Sequence, residues 1–368
     1  MKRQANILFL TLGITLLAAC QGRQGAIPSD ADTLHLRYAH YLTLIEHCDY
    51  TEAQIHSPWS EGKMLQTLKA HSTPSPNELG RASRALSFTT THANLIEELG
   101  AMDAIAGICE TEYVANKRLR RALAEGNICD IGSAMIPNRE RIISLNPDMI
   151  LLSPYENAST YGNLESLGIP IIQCADYMET SALGRAEWMR LYGRLFGKGR
   201  EADSLFQTIE HEYLRLKALT DTMPQDRYPT VLFDTQNGSA WYVPGGRSTM
   251  AQLIADAGGR YVFRDNTKSG SVPLSFETVL ERGEDADVWI IRYNNSRRMS
   301  LAELGATYTP YTLFKAYRNG EVYGCNSAEL LFYEETPFHP ELLLHDYIKI
   351  LHPELLPGDT LRYFHKLK

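Results

Sequence analysis

No basic block interrupts this 368-residue chain; its 36 Lys+Arg are scattered among 44 Asp+Glu for a net charge of −8. That balance argues against nucleic acid as a partner, which requires a concentrated cationic surface. There is no Gly-x-Ser-x-Gly elbow. Ser87 and Ser153 follow apolar runs, but nothing in the spacing sets a His/Asp pair beside either. These absences weigh against a hydrolase. Cys-x-x-Cys is missing, as is any Cys/His set at metal-ligand spacing, so neither a structural zinc site nor a bare-metal receptor can be assembled. Beyond the first 19 residues no apolar run reaches the roughly 20 residues that span a bilayer.

What is present begins with an address. Lys2 and Arg3 precede the uncharged apolar run Ile7–Ala19, which is too short for a span and ends in Leu17-Ala18-Ala19-Cys20. Positive segment, apolar run and cysteine fall in the order of a lipoprotein signal peptide. The expectation is cleavage before Cys20, acylation of its thiol, and a periplasmic protein anchored to a membrane by lipid. Of the six cysteines, five then remain, an odd count that leaves at least one unpaired. An exported compartment permits disulfides, and Cys109–Cys129 would close a modest loop. Cys174, after the run Ile169-Pro-Ile-Ile, reads as an inert core thiol.

Residues 33–80 alternate and turn as short strands do. From Arg84 the rhythm changes to strand, helix, strand. Arg84-Ala-Leu-Ser-Phe, Ala104-Ile-Ala-Gly-Ile-Cys, Asp148-Met-Ile-Leu-Leu-Ser and Ile169–Cys174 read as strands. His92–Leu99, Asn138–Leu145 and Tyr161–Leu167 read as helices between them. Alternation of this kind implies parallel sheets covered on both faces. Leu183–Phe196 and Arg200–Thr220 follow as helices. In the second, Ala202, Leu205, Ile209, Tyr213, Leu216 and Leu219 form one apolar stripe. The strand–helix rhythm then restarts at Thr230-Val-Leu-Phe. One element repeats: Glu140-Arg-Ile-Ile leads to Asp148-Met-Ile-Leu-Leu, and Glu277-Thr-Val-Leu leads to Asp287-Val-Trp-Ile-Ile. Two similar α/β lobes joined by a long helix are expected.

These residues resemble the periplasmic binding proteins with a rigid interlobe helix, which serve ferric-siderophore, heme and cobalamin uptake. The resemblance rests on Ala101-Met-Asp-Ala-Ile-Ala-Gly, on Pro137-Asn-Arg-Glu-Arg-Ile-Ile-Ser-Leu-Asn-Pro-Asp, on Leu167-Gly-Ile-Pro-Ile-Ile, and on Gly246–Gly259 with Leu274-Ser-Phe-Glu. It covers about residues 84–356; the 33–80 segment departs from it. It implies two Rossmann-like lobes with parallel central sheets, joined by a long rigid helix, with a ligand cleft between them. The division is then signal peptide 1–19, lipidated tether 20–32, β-rich addition 33–80 packed on the first lobe, first lobe 81–180, interlobe helices 181–223 and second lobe 224–368. It further implies a monomeric receptor, not an enzyme and without a cofactor. Its ligand would be an iron-siderophore, heme or cobalamin, delivered to an ABC permease and ATPase. The alternatives are a scavenger or sensor lipoprotein of the same fold without a cognate permease, and an exported α/β hydrolase.

In such receptors one acidic residue on each lobe docks onto permease arginines, and the matching positions are Glu140 and Glu277. Either one alone is equally a complement to its own helix dipole. Ligands bind beyond the carboxyl ends of strands, which selects Thr90, His92, Tyr113 and Tyr155 in the first lobe. In the second lobe it selects Trp241, Tyr242, Arg292, Tyr293 and Tyr333. Aromatic faces would stack on a ring-rich ligand, and Arg292 would pair with a carboxylate. His92 either bonds locally at its helix start or serves as axial ligand to heme iron.

Overall fold

The structure, a computed structural model, describes residues 32–71, 80–156 and 163–368. The expected signal peptide, Cys20, residues 72–79 and the first two residues of the expected helix Tyr161–Leu167 lie outside the described residues.

Each lobe is built on a five-stranded sheet. In the first, the order is Cys129–Asp130, Ile105–Ile108, Ala85–Ser87, Met149–Leu152 and Ile171–Gln173, all parallel. Met149–Leu152 is apolar at every position because helices and loops cover both faces and bury all four residues. In the second lobe, Arg260–Tyr261, Thr230–Phe233, Val288–Tyr293 and Val322–Asn326 run parallel. His365–Lys366 closes that sheet antiparallel, and a separate antiparallel ribbon holds Gln236–Asn237, Ala240–Pro244 and Ser271–Leu274. The second lobe is therefore mixed rather than wholly parallel.

The repeated glutamate–aspartate pattern has a structural cause. Asp148 Oδ2 accepts from the backbone N–H groups of Ser83 and Arg84 at 2.7 and 3.0 Å. Asp287 Oδ2 accepts from the N–H and hydroxyl of Thr230 at 2.8 and 2.7 Å. In each lobe the aspartate before one strand fastens the start of its neighbour, which answers donors that the ladder leaves open.

The helix Gly199–Asp221 joins the lobes. At 23 residues it spans about 34 Å. Ala202, Ile209, Tyr213 and Leu216 of the expected stripe are buried, as is Phe206, and Leu205 and Leu219 lie at the margin of the core. The preceding helical stretch is broken into Ala182–Glu187 and Met189–Leu195. Trp188 sits at the junction, fully buried, and its indole donates to Glu179 Oε1 at 2.9 Å.

The N-terminal addition is a four-stranded antiparallel meander, Asp32–Leu34, Leu42–Glu46, Tyr50–His56 and Met64–His71. Two buried carboxylates hold it in place, Glu179 at the end of the first lobe and Glu187 on the helix Ala182–Glu187. Glu187 accepts from the N–H groups of Arg37, Tyr38 and Ala39 at 2.8–3.0 Å. Glu179 accepts from those of His40 and Tyr41 at 2.9–3.0 Å. Five consecutive backbone donors are thus satisfied by ionisable groups that contact them directly. The close approach requires Gly184, where a Cβ would lie 2.6 Å from the carbonyl of Tyr38. Gln66 adds a link to the first lobe, donating to Ile171 O at 2.6 Å and accepting from Gln173 N at 2.9 Å. Its amide stands in for a further strand at that sheet edge.

The five described cysteines are free, so the Cys109–Cys129 pairing is corrected. Strand register sets Cys129 opposite Gly107, which offsets it by two residues, about 6.6 Å, from Cys109. Burial pushes the Cys109 thiol up to about 12, and Cys174 is likewise raised by burial. Both are inert.

Candidate functional site

Between the lobes lies a cavity of about 710 Å³. It opens at the carboxyl ends of both sheets, where α/β folds bind ligands. Thr90 follows Ala85–Ser87, and Tyr113 lies beyond Ile105–Ile108; Arg292 and Tyr293 end Val288–Tyr293, and Tyr333 opens from the helix Phe332–Glu335. All five line this one cavity. Tyr155 lines a smaller apolar recess of about 100 Å³, which shares Phe88, Thr89 and Ala134 with the main cleft.

Three expected contacts are corrected. Trp241 is 0% exposed. Its ring lies 5.7–5.8 Å from those of Trp289, Tyr311 and Phe314 inside the second lobe. Tyr242, its strand neighbour, points the other way and is 48% exposed; it is not among the residues that line the cleft. His92 is 1% exposed. It packs against Tyr192 and Phe338, and its Nε2 is 3.0 Å from Asp176 Oδ1. Burial would raise the Asp176 carboxyl, but His92 and Arg185 together hold it below the usual carboxylate range. This buried cluster fastens the helix Thr90–Glu98 to the core and gives His92 no access to a ligand in the cleft.

The chain also supplies groups that pattern reasoning missed. Arg292 is held by Asp234 in a bidentate pair, Nε to Oδ1 at 2.9 Å and Nη2 to Oδ2 at 2.5 Å. Burial opposes the Arg292 charge, but Asp234 raises its pKa further above the ordinary value. The guanidinium also lies 5.1–5.8 Å from the rings of Phe233, Phe332 and Tyr333. Asp234 adopts a left-handed backbone, φ 59°, which costs free energy for a non-glycine residue. Two tryptophans stabilise that turn: Trp241 Nε1 donates to Phe233 O at 3.0 Å and Trp289 Nε1 to Asp234 O at 2.7 Å. The first lobe has a counterpart in Glu110, φ 58°, which lines the cleft and accepts from Ala134 N at 2.8 Å. Both residues directly follow apolar strand runs, and the strand-end rule would have selected them had it been applied to acids as well as aromatics.

Removing the partner of Arg292 tests this pairing. Asp234→Ala is expected to destabilise the protein by about 3 kcal/mol, the low end for breaking a buried pair. The low end applies because the Arg292 side chain keeps 23% exposure toward the cleft. Urea denaturation reads the difference, and a change below about 1 kcal/mol, the ceiling for exposed pairs, would show that the two charges are not effectively buried.

Glu140 and Glu277 occupy matched positions. Each is the second residue of its helix, Arg139–Leu145 or Phe276–Gly283, behind an N-cap, Asn138 or Ser275, whose side chain accepts a backbone N–H. Both are exposed.

These features define a two-lobed solute receptor. A family model described as periplasmic binding protein matches residues 87–329, and the chain belongs to that family. It is similar to an uncharacterized lipoprotein of Methanocaldococcus jannaschii, 28% identical over 316 residues that cover 84% of this chain and 72% of the relative. Among solved structures it resembles the Haemophilus influenzae molybdate periplasmic binding protein MolA, with TM-score 0.62 and 17% identity, over 76% of this chain and 89% of that one. It also resembles a periplasmic heme binding protein of Pseudomonas aeruginosa, with TM-score 0.60 and 18% identity, over 78% of this chain and 98% of that one. At such identities the structural likeness speaks for the fold. Among the described residues no helix is long and apolar enough to cross a membrane.

Proposed function

We propose that this chain is the lipid-anchored substrate-binding protein of an ABC importer. In this reading it captures a bulky metal chelate, a ferric siderophore, heme or cobalamin, and hands it to a permease and its ATPase. The observation that carries the reading is the interlobe cavity of about 710 Å³ at the ends of both sheets, with Tyr113, Tyr293, Tyr333 and Arg292 in its walls. Flat aromatic faces and a fixed guanidinium suit a large, ring-rich solute better than a bare ion. Glu140 and Glu277, one on each lobe, are the groups that would meet permease arginines, in pairs that set orientation. Cys20 would carry the lipid that keeps the receptor beside the transporter in the periplasm.

Titration of the leaderless protein with ferric siderophores, heme and cobalamin, followed by tryptophan fluorescence, ranks the ligands. Tyr333→Ala is expected to weaken binding of the best of them about tenfold, the loss of one well-placed aromatic contact. Binding that ignores the change would remove Tyr333 from the site. No binding by any of these chelates would end the metal-chelate reading of the ligand.

A further inference from the structure

One polar atom in the cleft wall is left without a partner by the protein. Glu334, on helix Phe332–Glu335, is 2% exposed and lines the cleft. It bridges the lobes: its Oε1 accepts from Ala115 N at 3.0 Å, and its carbonyl accepts from Asn94 Nδ2 at 3.3 Å. Its Oε2 is buried with no hydrogen-bond partner. Burial pushes this carboxyl up to about 7, against the pull of the Ala115 and Asn116 amides and of Arg120. Buried acceptors are almost always satisfied, so each exception calls for an explanation. A ligand that supplies the missing donor, and so favours the ionised carboxylate, is the explanation a binding cleft offers.

The charge of the cleft points the same way. Glu110 and Glu112 line it with Glu334, while Arg120 and Arg292 are its cations. The Arg292 charge is already matched by Asp234. With Arg292 matched in this way, Glu110 and Glu112 outnumber Arg120 even before Glu334 ionises. A cleft with an excess of one sign favours solutes of the other and disfavours its own.

Resting on the receptor reading, we propose that the ligand is a metal chelate without net negative charge that donates an N–H or O–H, from an amine, amide or hydroxyl, to Glu334 Oε2. Glu110 and Glu112 complete the acidic wall that faces it. Chelates with free carboxylates, and oxyanions such as molybdate, meet repulsion there instead.

Glu334→Gln isolates the unpartnered atom. The amide oxygen can keep the Ala115 bond, while an NH2 replaces Oε2 and turns an acceptor into a donor. Wild type and variant are titrated with four probes: a ferric trishydroxamate bearing a free amine, ferric citrate, heme and molybdate. A melting curve checks that the variant is folded. The amine-bearing chelate should bind wild type at least about tenfold tighter than ferric citrate, and Glu334→Gln should weaken it about tenfold. Glu112→Gln, a change at an exposed residue, gives a second reading and should narrow the preference for the amine-bearing chelate over ferric citrate. The inference is overturned by anionic probes that bind as tightly as the amine-bearing one. It is equally overturned by equal or tighter binding of the amine-bearing chelate to Glu334→Gln, or by an unchanged preference in Glu112→Gln. Those outcomes leave the metal-chelate reading standing; failure of all four probes to bind would take both down.

Discussion

Trp241→Ala is expected to destabilise the protein by about 3–5 kcal/mol, the usual cost of removing a buried large aromatic. The ring has no exposed surface. It touches Trp289, Tyr311 and Phe314, and its truncation opens a void among them. The loss has a second part, because the indole N–H answers the carbonyl of Phe233, the residue before Asp234. An unanswered buried carbonyl adds to the cost. Equilibrium unfolding in urea measures the sum, and a loss below about 1 kcal/mol would contradict the packing described. Trp241 is thus a support beneath the cleft and not a wall of it.

The double change Glu140→Ala and Glu277→Ala is expected to reduce uptake of the ligand into cells to background while its dissociation constant for the purified protein stays the same. Both carboxylates are exposed, each in the first turn of a helix, and neither lines the cleft. The alternative, that each only complements its helix dipole, predicts a small stability loss of about 0.3–1 kcal/mol and undiminished transport. Uptake assays with the single and double variants decide between the two. Weakened ligand binding by the purified double variant would refute the docking role from the other side.

Much of the fold was legible because its signals are local. The Glu–Asp echo, the stripe on Gly199–Asp221 and the buried run Met149–Leu152 follow from periodicity alone. The site was legible only in part. Side chains alternate along Ala240–Pro244, so of Trp241 and Tyr242 one faces in and one out, but which does so is set by pairing with Ser271–Leu274, some 30 residues on. His92 is drawn inward by Asp176, 84 residues away. Glu334 gains its role from Ala115, 219 residues distant in the chain. Such partnerships arise from tertiary assembly, and no window of sequence contains both members.

The lobes are stitched together beside the cleft as well as by the long helix. Thr91 Oγ1 donates to Tyr333 O at 2.9 Å. His339, of the second lobe, lies 2.9 Å from both Glu98, of the first, and Glu341. Burial works against the His339 charge, yet its two carboxylates raise it to about 10, so the imidazolium persists at neutral pH and is lost only as pH climbs through that value. A mouth braced in this way does not need to swing shut on its cargo. Capture then orders little of the polypeptide, and the heat capacity of binding should track only the apolar area that solute and cleft walls bury against each other. Prising the two halves apart becomes work for whatever machine collects the cargo.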